Sequence, residues 1–335
     1  GYYWRFNTNE PIHSSPAVFG RAVIFGARDN NLYSLSIQTG EPLWRMTVQG
    51  PIDSSPTVAE INTGEAAQVV VFFGSSDGNV YGRDAFQSVA RFQWPRPFST
   101  GAAVVSSPLV VDNVVYVGSS NGIFYALDAA TGAQIWQFPT EGSILGSAAM
   151  AEGVVYVGST DGKLYALDAR TGRLHCSSPT FGAIQATPVV VDDRILIGTG
   201  DTNVHELDLD CNLQQSYLTS IPVVSSPAVD NGIMFVAAER RLLAIELGTN
   251  ENAWEVPFEA GGNIESPPSI TQGVVYVGSD DGHLYALDAG SGEELWSFQT
   301  GGAVVSSPAI AEGAVFVTSM GGTIYALGPG EPPGP

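Results

Sequence analysis

The stretch VVYVGSSNGIFYALDAATGAQIW at residues 114–136 returns as VVYVGSTDGKLYALDARTGRL at 154–174 and as VVYVGSDDGHLYALDAGSGEELW at 274–296. A chain that repeats itself at fixed spacing buries each unit's apolar surface against its own copies, which restricts the fold to solenoids, propellers and arrays. Each unit reads as four strands. An apolar run after a Ser-Ser-Pro gives the first, VVYVGS the second, LYALDA the third and a Trp-bearing segment the fourth. Asp161-Gly162 and Asp281-Gly282 suit hairpin turns that need positive φ, and a Thr-Gly or Ser-Gly closes the next turn.

The Ser-Ser-Pro anchor falls at Pro16, Pro56, Pro108, Ala148, Pro188, Pro227, Pro267 and Pro308, which counts eight units. Six of the intervals are 39 to 41 residues and the second is 52, with insertions around Ile61 to Gln68 and around Gln93 to Phe98. The last unit stops after GTIYALG with three strands, while the opening YYWRFNT matches ELWSFQT, Trp4 taking the place of Trp296. The expected fold is therefore all-β: an eight-bladed β-propeller of four-stranded antiparallel blades over residues 1–328. Residues 1–10 complete the last blade, and a Pro/Gly tail follows at 329–335. Closing the ring in this way removes two sheet edges that would otherwise recruit other chains.

Composition narrows the partners. The formal charge is -21, and the 13 basic residues include a single lysine, Lys163, with no basic run. Nucleic acid and anionic membrane surfaces both need clustered Lys and Arg, so neither is an expected partner. No run of eighteen apolar residues offers direct membrane insertion. A start in mid-pattern and a GPGEPPGP end suggest a piece of a larger chain or assembly.

The segments ALDAATGAQIW, SLSIQTGEPLW and ALDAGSGEELW resemble the tryptophan-docking motif of the PQQ-type, quinoprotein-like propellers, and the resemblance covers essentially the whole chain. It implies that the Trp of one blade packs flat on the next blade's motif. Trp4, Trp44, Trp136, Trp254 and Trp296 hold that position, with Phe92 or Trp94 serving the insertion-bearing blade. Two blades depart. Cys176 replaces the fourth blade's Trp, and Cys211 falls in the turn that this Trp would have touched. The pair is expected to form a disulfide from blade four to blade five, pointing to an oxidising compartment; two buried free thiols are the alternative.

Members of the family that are dehydrogenases carry a vicinal cysteine pair, a calcium site and a catalytic aspartate around PQQ. The vicinal pair has no counterpart here, the cysteines being 35 residues apart, so no catalytic residue, PQQ or calcium is expected. Asp128, Asp168, Asp208 and Asp288 recur once per blade and read as acceptors for turn N–H groups, as do Asp77, Asp161 and Asp281. The four histidines, His13, His175, His205 and His283, lack metal-ligand spacing, so no metal is expected.

Function is sought where the repeats differ. Three residues before the anchor the blades read His13, Asp53, Val105, Leu145, Gln185, Val224, Ile264 and Val305, with Glu265 one place further on. Hairpins of the same face add Arg28, Asp29, Asp201, Asn203, Glu239, Arg240, Arg241 and His283. His13, Asp53, Gln185, Glu265, Arg28 and Arg240 are the candidate ligand-binding residues at the channel mouth, against a reading as ordinary solvated rim. Trp94, Arg96 and Phe98, in the least repeat-like stretch, are the candidate protein interface.

Similar propellers serve as sensor parts of receptor kinases, as outer-membrane assembly lipoproteins and as secreted surface proteins. The resemblance thus implies a non-catalytic, extracytoplasmic sensor or scaffold of bacterial or archaeal type, with a protein or small-molecule partner. A structural subunit of a cell-surface or filament assembly and a PQQ- or metal-dependent dehydrogenase are the alternatives.

Overall fold

The computed structural model describes residues 2–63, 67–86, 94–179 and 182–328; the tail at 329–335 lies outside them. Among the described residues all regular structure is β, in eight antiparallel sheets of four strands arranged as an eight-bladed propeller. The first blade runs Ala17–Phe19, Ala22–Gly26, Asn31–Ser36 and Pro42–Thr47, from the central channel outward.

Blades stack face to face, so their middle strands are covered on both sides and must be apolar in every position. In the third blade Val115, Tyr116, Val117, Phe124, Ala126 and Leu127 are all buried. The outer strand Gln134–Pro139 instead alternates, burying Trp136 and exposing Gln134 and Gln137. The core is accordingly a set of layers between neighbouring blades: Tyr116 and Phe124 of the third pack with Val155 and Tyr165 of the fourth. Phe316 and Ile324 of the eighth pack in the same way with Phe25 and Tyr33 of the first.

The ring closes as the sequence implies. Ala309–Ala311, Ala314–Thr318 and Thr323–Leu327 are completed by Tyr2–Asn7, with Trp4 opposite Ala326 and Asn7 opposite Thr323. The Thr8 N–H donates to the Gly322 carbonyl at 2.7 Å, extending the pairing beyond the strand.

The blades are clamped by their tryptophans. Trp136 Nε1–H donates to the Ala169 carbonyl at 2.9 Å, and its ring lies on Gly172. A Cβ at Gly172 would stand 2.6 Å from the ring, and its φ of +70° already disfavours any side chain. Trp4, Trp94 and Trp254 repeat the arrangement on Ile37, Ala129 and Ala289. Trp44 donates to Ala85 and carries the Arg83 guanidinium 3.5 Å over its ring.

Two expectations change. Trp94 is 1% exposed and is the second blade's docking residue, so it is not an interface side chain; Phe92 lies outside the described residues. Trp296 is 37% exposed, and its N–H meets no acceptor among the described residues. The difference lies in the next blade, whose third strand ends at Leu327 and whose sequence then departs from the docking motif at Gly328.

Cys176 and Cys211 are disulfide-bonded with their Cα atoms 6.0 Å apart, which removes the free-thiol alternative. Cys211 has a φ of +64° and takes over the role of the turn glycine, so a covalent bond replaces a ring-on-glycine contact. At the following seam Gln215 stands at the tryptophan register, and Tyr217, two residues further on, makes the contact with the next blade instead. Its hydroxyl accepts the Gly248 N–H at 2.9 Å and donates to the buried Glu206 carboxylate, which Arg194 approaches to 3.4 Å.

Candidate functional site: the channel mouth

Turns between first and second strands and between third and fourth strands open on one face. The second-to-third turns and the segments leading into each inner strand open on the other, and these form the mouth. Each lead-in starts with a buried aliphatic residue: Ile12, Ile52, Val104, Ile144, Ile184, Val223, Ile264 and Val304 are at most 3% exposed. Such residues press on the end of the preceding blade's second strand; a Cβ at Gly118 would stand 2.1 Å from Ile144 Cγ2, so only glycine fits there. With that residue fixed inward, the next side chain is left at the rim.

This packing corrects the register of blade seven. Ser266 Oγ accepts the Gly278 N–H at 3.2 Å as Ser14 Oγ accepts that of Gly26 at 2.9 Å, and Ser269 pairs with Tyr276 as Ala17 pairs with Ile24. The anchor is therefore Pro268 and not Pro267. Ile264 belongs to the buried set, and Glu265 itself sits in the ring with His13, Asp53, Val105, Leu145, Gln185, Val224 and Val305.

A relay of hydroxyls holds the ring just below. Ser15 N–H donates to Ser55 Oγ at 2.9 Å, Ser55 to Ser107 at 3.0 Å, Ser107 to Ser147 at 2.9 Å and Ser147 to Thr187 at 3.1 Å. Thr187 donates to Ser226 at 2.8 Å, and Ser307 donates to Ser15 at 2.9 Å across the closure. Pro267 has neither hydroxyl nor N–H and interrupts the relay in blade seven.

Of the six candidate mouth residues, three meet. Arg28 grips Asp53 with Nε on Oδ1 at 3.0 Å and Nη2 on Oδ2 at 3.2 Å, a bidentate pair, and His13 Nδ1 stands 3.7 Å from the same carboxylate. Burial pushes the His13 pKa below its usual value although Asp53 pulls it up, and Nε2 of this ring is buried with no partner among the described residues. Burial thus favours the neutral imidazole, which keeps one hydrogen-bonding atom unused among the described residues.

The other three lie apart. Gln185 is exposed, and Arg240 is bound to Glu259 of its own blade at 2.6 Å. Glu265 is held above the usual carboxylate range by burial and by Asp280, whose own pKa is raised by burial and by Asp281. Asp280 was not among the sequence candidates. Its position, second after the glycine that ends the second strand, is also that of Arg28, and comparing blades at that register would have found it.

The recurring aspartates are structural. Asp168 Oδ1 accepts the Thr171 N–H at 2.7 Å and hydroxyl at 2.5 Å, bonds that lower its pKa, and Asp288 does the same with Ser291. Asp77, Asp161 and Asp281 accept the hydroxyls of Tyr81, Tyr165 and Tyr285. Away from the mouth, Arg96 and Phe98 line an open cleft of about 570 Å³ with Thr131 and Gln134 of the next blade, and Phe98 packs edge-on against Tyr125.

With this geometry in hand, comparison with known families is informative. The family PQQ_2, described as outer membrane protein assembly factor BamB, matches residues 2–137, 91–256 and 244–330. The chain belongs to this family. BamB from Moraxella catarrhalis has the same fold, with a TM-score of 0.80 at 17% identity over 97% of this chain and 98% of that one.

Two curated relatives match shorter stretches. The serine/threonine-protein kinase AfsK of Streptomyces griseus is 40% identical over 82 residues, 23% of this chain and 10% of the kinase. A 1-butanol dehydrogenase (cytochrome c) of Thauera butanivorans is 33% identical over 84 residues, 22% of this chain and 12% of the dehydrogenase. The matched parts are thus about a tenth of each relative's length.

The mouth of this PQQ_2 chain is chemically uneven. Half of the rim ring is aliphatic, and Arg28 is already neutralised by Asp53. No group of three His, Cys, Asp or Glu suited to a metal forms among the described residues, and the two cysteines are joined at a seam on the opposite face.

Proposed function

We propose that this chain is a non-catalytic, extracytoplasmic binding propeller, a sensor or scaffold that holds a protein partner at its channel mouth. The observation that carries the reading is the concentration of unlike residues at one face of an otherwise repetitive ring: His13, Asp53 and Arg28 at blades one and two, Glu265 and Asp280 at blade seven. Membership of a family named for an outer membrane assembly factor supports a partner that is a protein. The disulfide supports a location outside the reducing cytoplasm.

The test is site-specific photocrosslinking in the native cell envelope. A crosslinker at position 105 or 145 of the rim is expected to trap one partner, and the double variant His13→Ala, Asp53→Ala to lose it. Trapping only from the Arg96–Phe98 cleft would favour the second reading, a structural subunit that assembles through blade two. Dye-linked alcohol oxidation after incubation with PQQ and calcium would overturn the non-catalytic assignment.

A further inference from the structure

On the face opposite the mouth, at the seam between the eighth and first blades, the described residues enclose an open cavity of about 790 Å³. Its floor is apolar, formed by Ile37, Ala314 and Phe316, which are at most 9% exposed. Its rim carries Tyr3, Arg21, Gln38 and Glu312, and none of these four side chains makes a hydrogen bond or ion pair with the rest of the described protein.

The seam also lacks a hydrogen bond that two other seams make. At the seams after blades three and four, Tyr116 and Tyr156 reach across to donate to the carbonyls of Ala169 and Leu209 at 3.0 and 3.1 Å. Phe316 occupies the same register in blade eight, opposite Ala309 and Ala326 as Tyr116 is opposite Leu109 and Ala126. It has no hydroxyl to send across. Among the described residues the Ile37 carbonyl at this seam takes the Trp4 N–H, at 2.9 Å, and no hydroxyl from across the seam.

The charges at the rim are also unlike those of the other seams. The inner-hairpin turns of blades three, four, five and eight carry Asp112, Glu152, Asp192 and Glu312, whereas blade one has Arg21. One cation and one anion thus border an apolar floor without pairing with each other. Volumes of about 300 to 1,000 Å³ with a few converging polar groups are typical of small-molecule sites. The complement of this arrangement is a molecule with both charges and an apolar body.

We propose that this closure-seam cavity binds a short apolar peptide with free termini, its carboxylate on Arg21, its ammonium on Glu312 and its side chains over Ile37 and Ala314. Because the site spans the two blades joined by the N-terminal strand, occupancy favours the closed ring and raises its apparent stability by mass action.

The probe is the dipeptide leucyl-phenylalanine, followed by calorimetric titration and by the melting temperature of the full chain. Saturable binding is expected, with a melting temperature that rises with dipeptide concentration. Capping both termini, or substituting Arg21→Gln or Glu312→Gln, is expected to weaken binding at least tenfold, while Arg173→Gln on the same face leaves it unchanged. Both substituted residues are unpaired and at the rim, so the melting temperature without dipeptide should match the parent and show that the variants are folded. Absence of saturable binding overturns the proposal, and so does equal binding of the capped dipeptide. Binding that appears only after removal of residues 329–335 also overturns it, since that segment of the chain would then be the occupant.

Discussion

Trp136 and Trp296 hold the same position in their repeats, each beside a second-strand tyrosine, with ring centroids 5.8 Å apart for Tyr116–Trp136 and 5.9 Å for Tyr276–Trp296. Only the former has a carbonyl and a glycine to dock on. Trp136→Ala removes a buried ring and its hydrogen bond and is expected to cost about 3–5 kcal/mol, whereas Trp296→Ala at an open seam is expected to cost about 1 kcal/mol. Urea midpoints of the two variants measure the difference; equal losses would show that Trp296 is docked in solution. The docking position was legible in the motif for Trp4, Trp44, Trp136, Trp254 and Trp296, but whether each ring docks was not. That depends on a turn some 33 to 41 residues later in the chain, and after Leu327 the sequence departs from the motif that supplies it.

Blade by blade, the sequence pattern was most informative where the repeat is strict and least where one residue shifts it. The doublet Pro267-Pro268 offered two anchors, and only the pairing of Ser269 with Tyr276 selects the second and moves Glu265 into the rim. The cysteines were legible for the opposite reason, since they stand where a docking pair is otherwise required. Their bond closes a loop of 35 residues, which by chain entropy contributes about 3–4 kcal/mol. Reduction, or Cys176→Ser with Cys211→Ser, is expected to lower unfolding free energy by that amount. Cys176→Trp with Cys211→Gly rebuilds the contact used at the neighbouring seams and should recover part of it. Unfolding curves with and without reductant read both effects, and an unchanged midpoint on reduction would show that the two blades hold together without the bond.

At the level of the molecule, every blade in a closed ring has two neighbours, so no core layer is left at an end. In an open array of repeats the terminal units lack one interface and fray first. Here the ring depends on one six-residue strand, Tyr2–Asn7, which supplies the outer edge of blade eight and, through Trp4, the clamp on blade one. Removing residues 1–7 would bare the edge of Thr323–Leu327, a strand buried throughout its length, and would open the layer that contains Phe25, Phe316 and Ile324. The loss should exceed that of Trp4→Ala, itself about 3–5 kcal/mol, because backbone pairing goes with the indole. The shortened chain is expected to unfold over a broader range of urea, with blades eight and one losing amide-exchange protection before the rest, and to associate through its bare edge. A synthetic YYWRFNT peptide added in trans should restore the sharp transition. Retention of the parent midpoint without the strand would mean that the seven other seams hold the disc shut on their own.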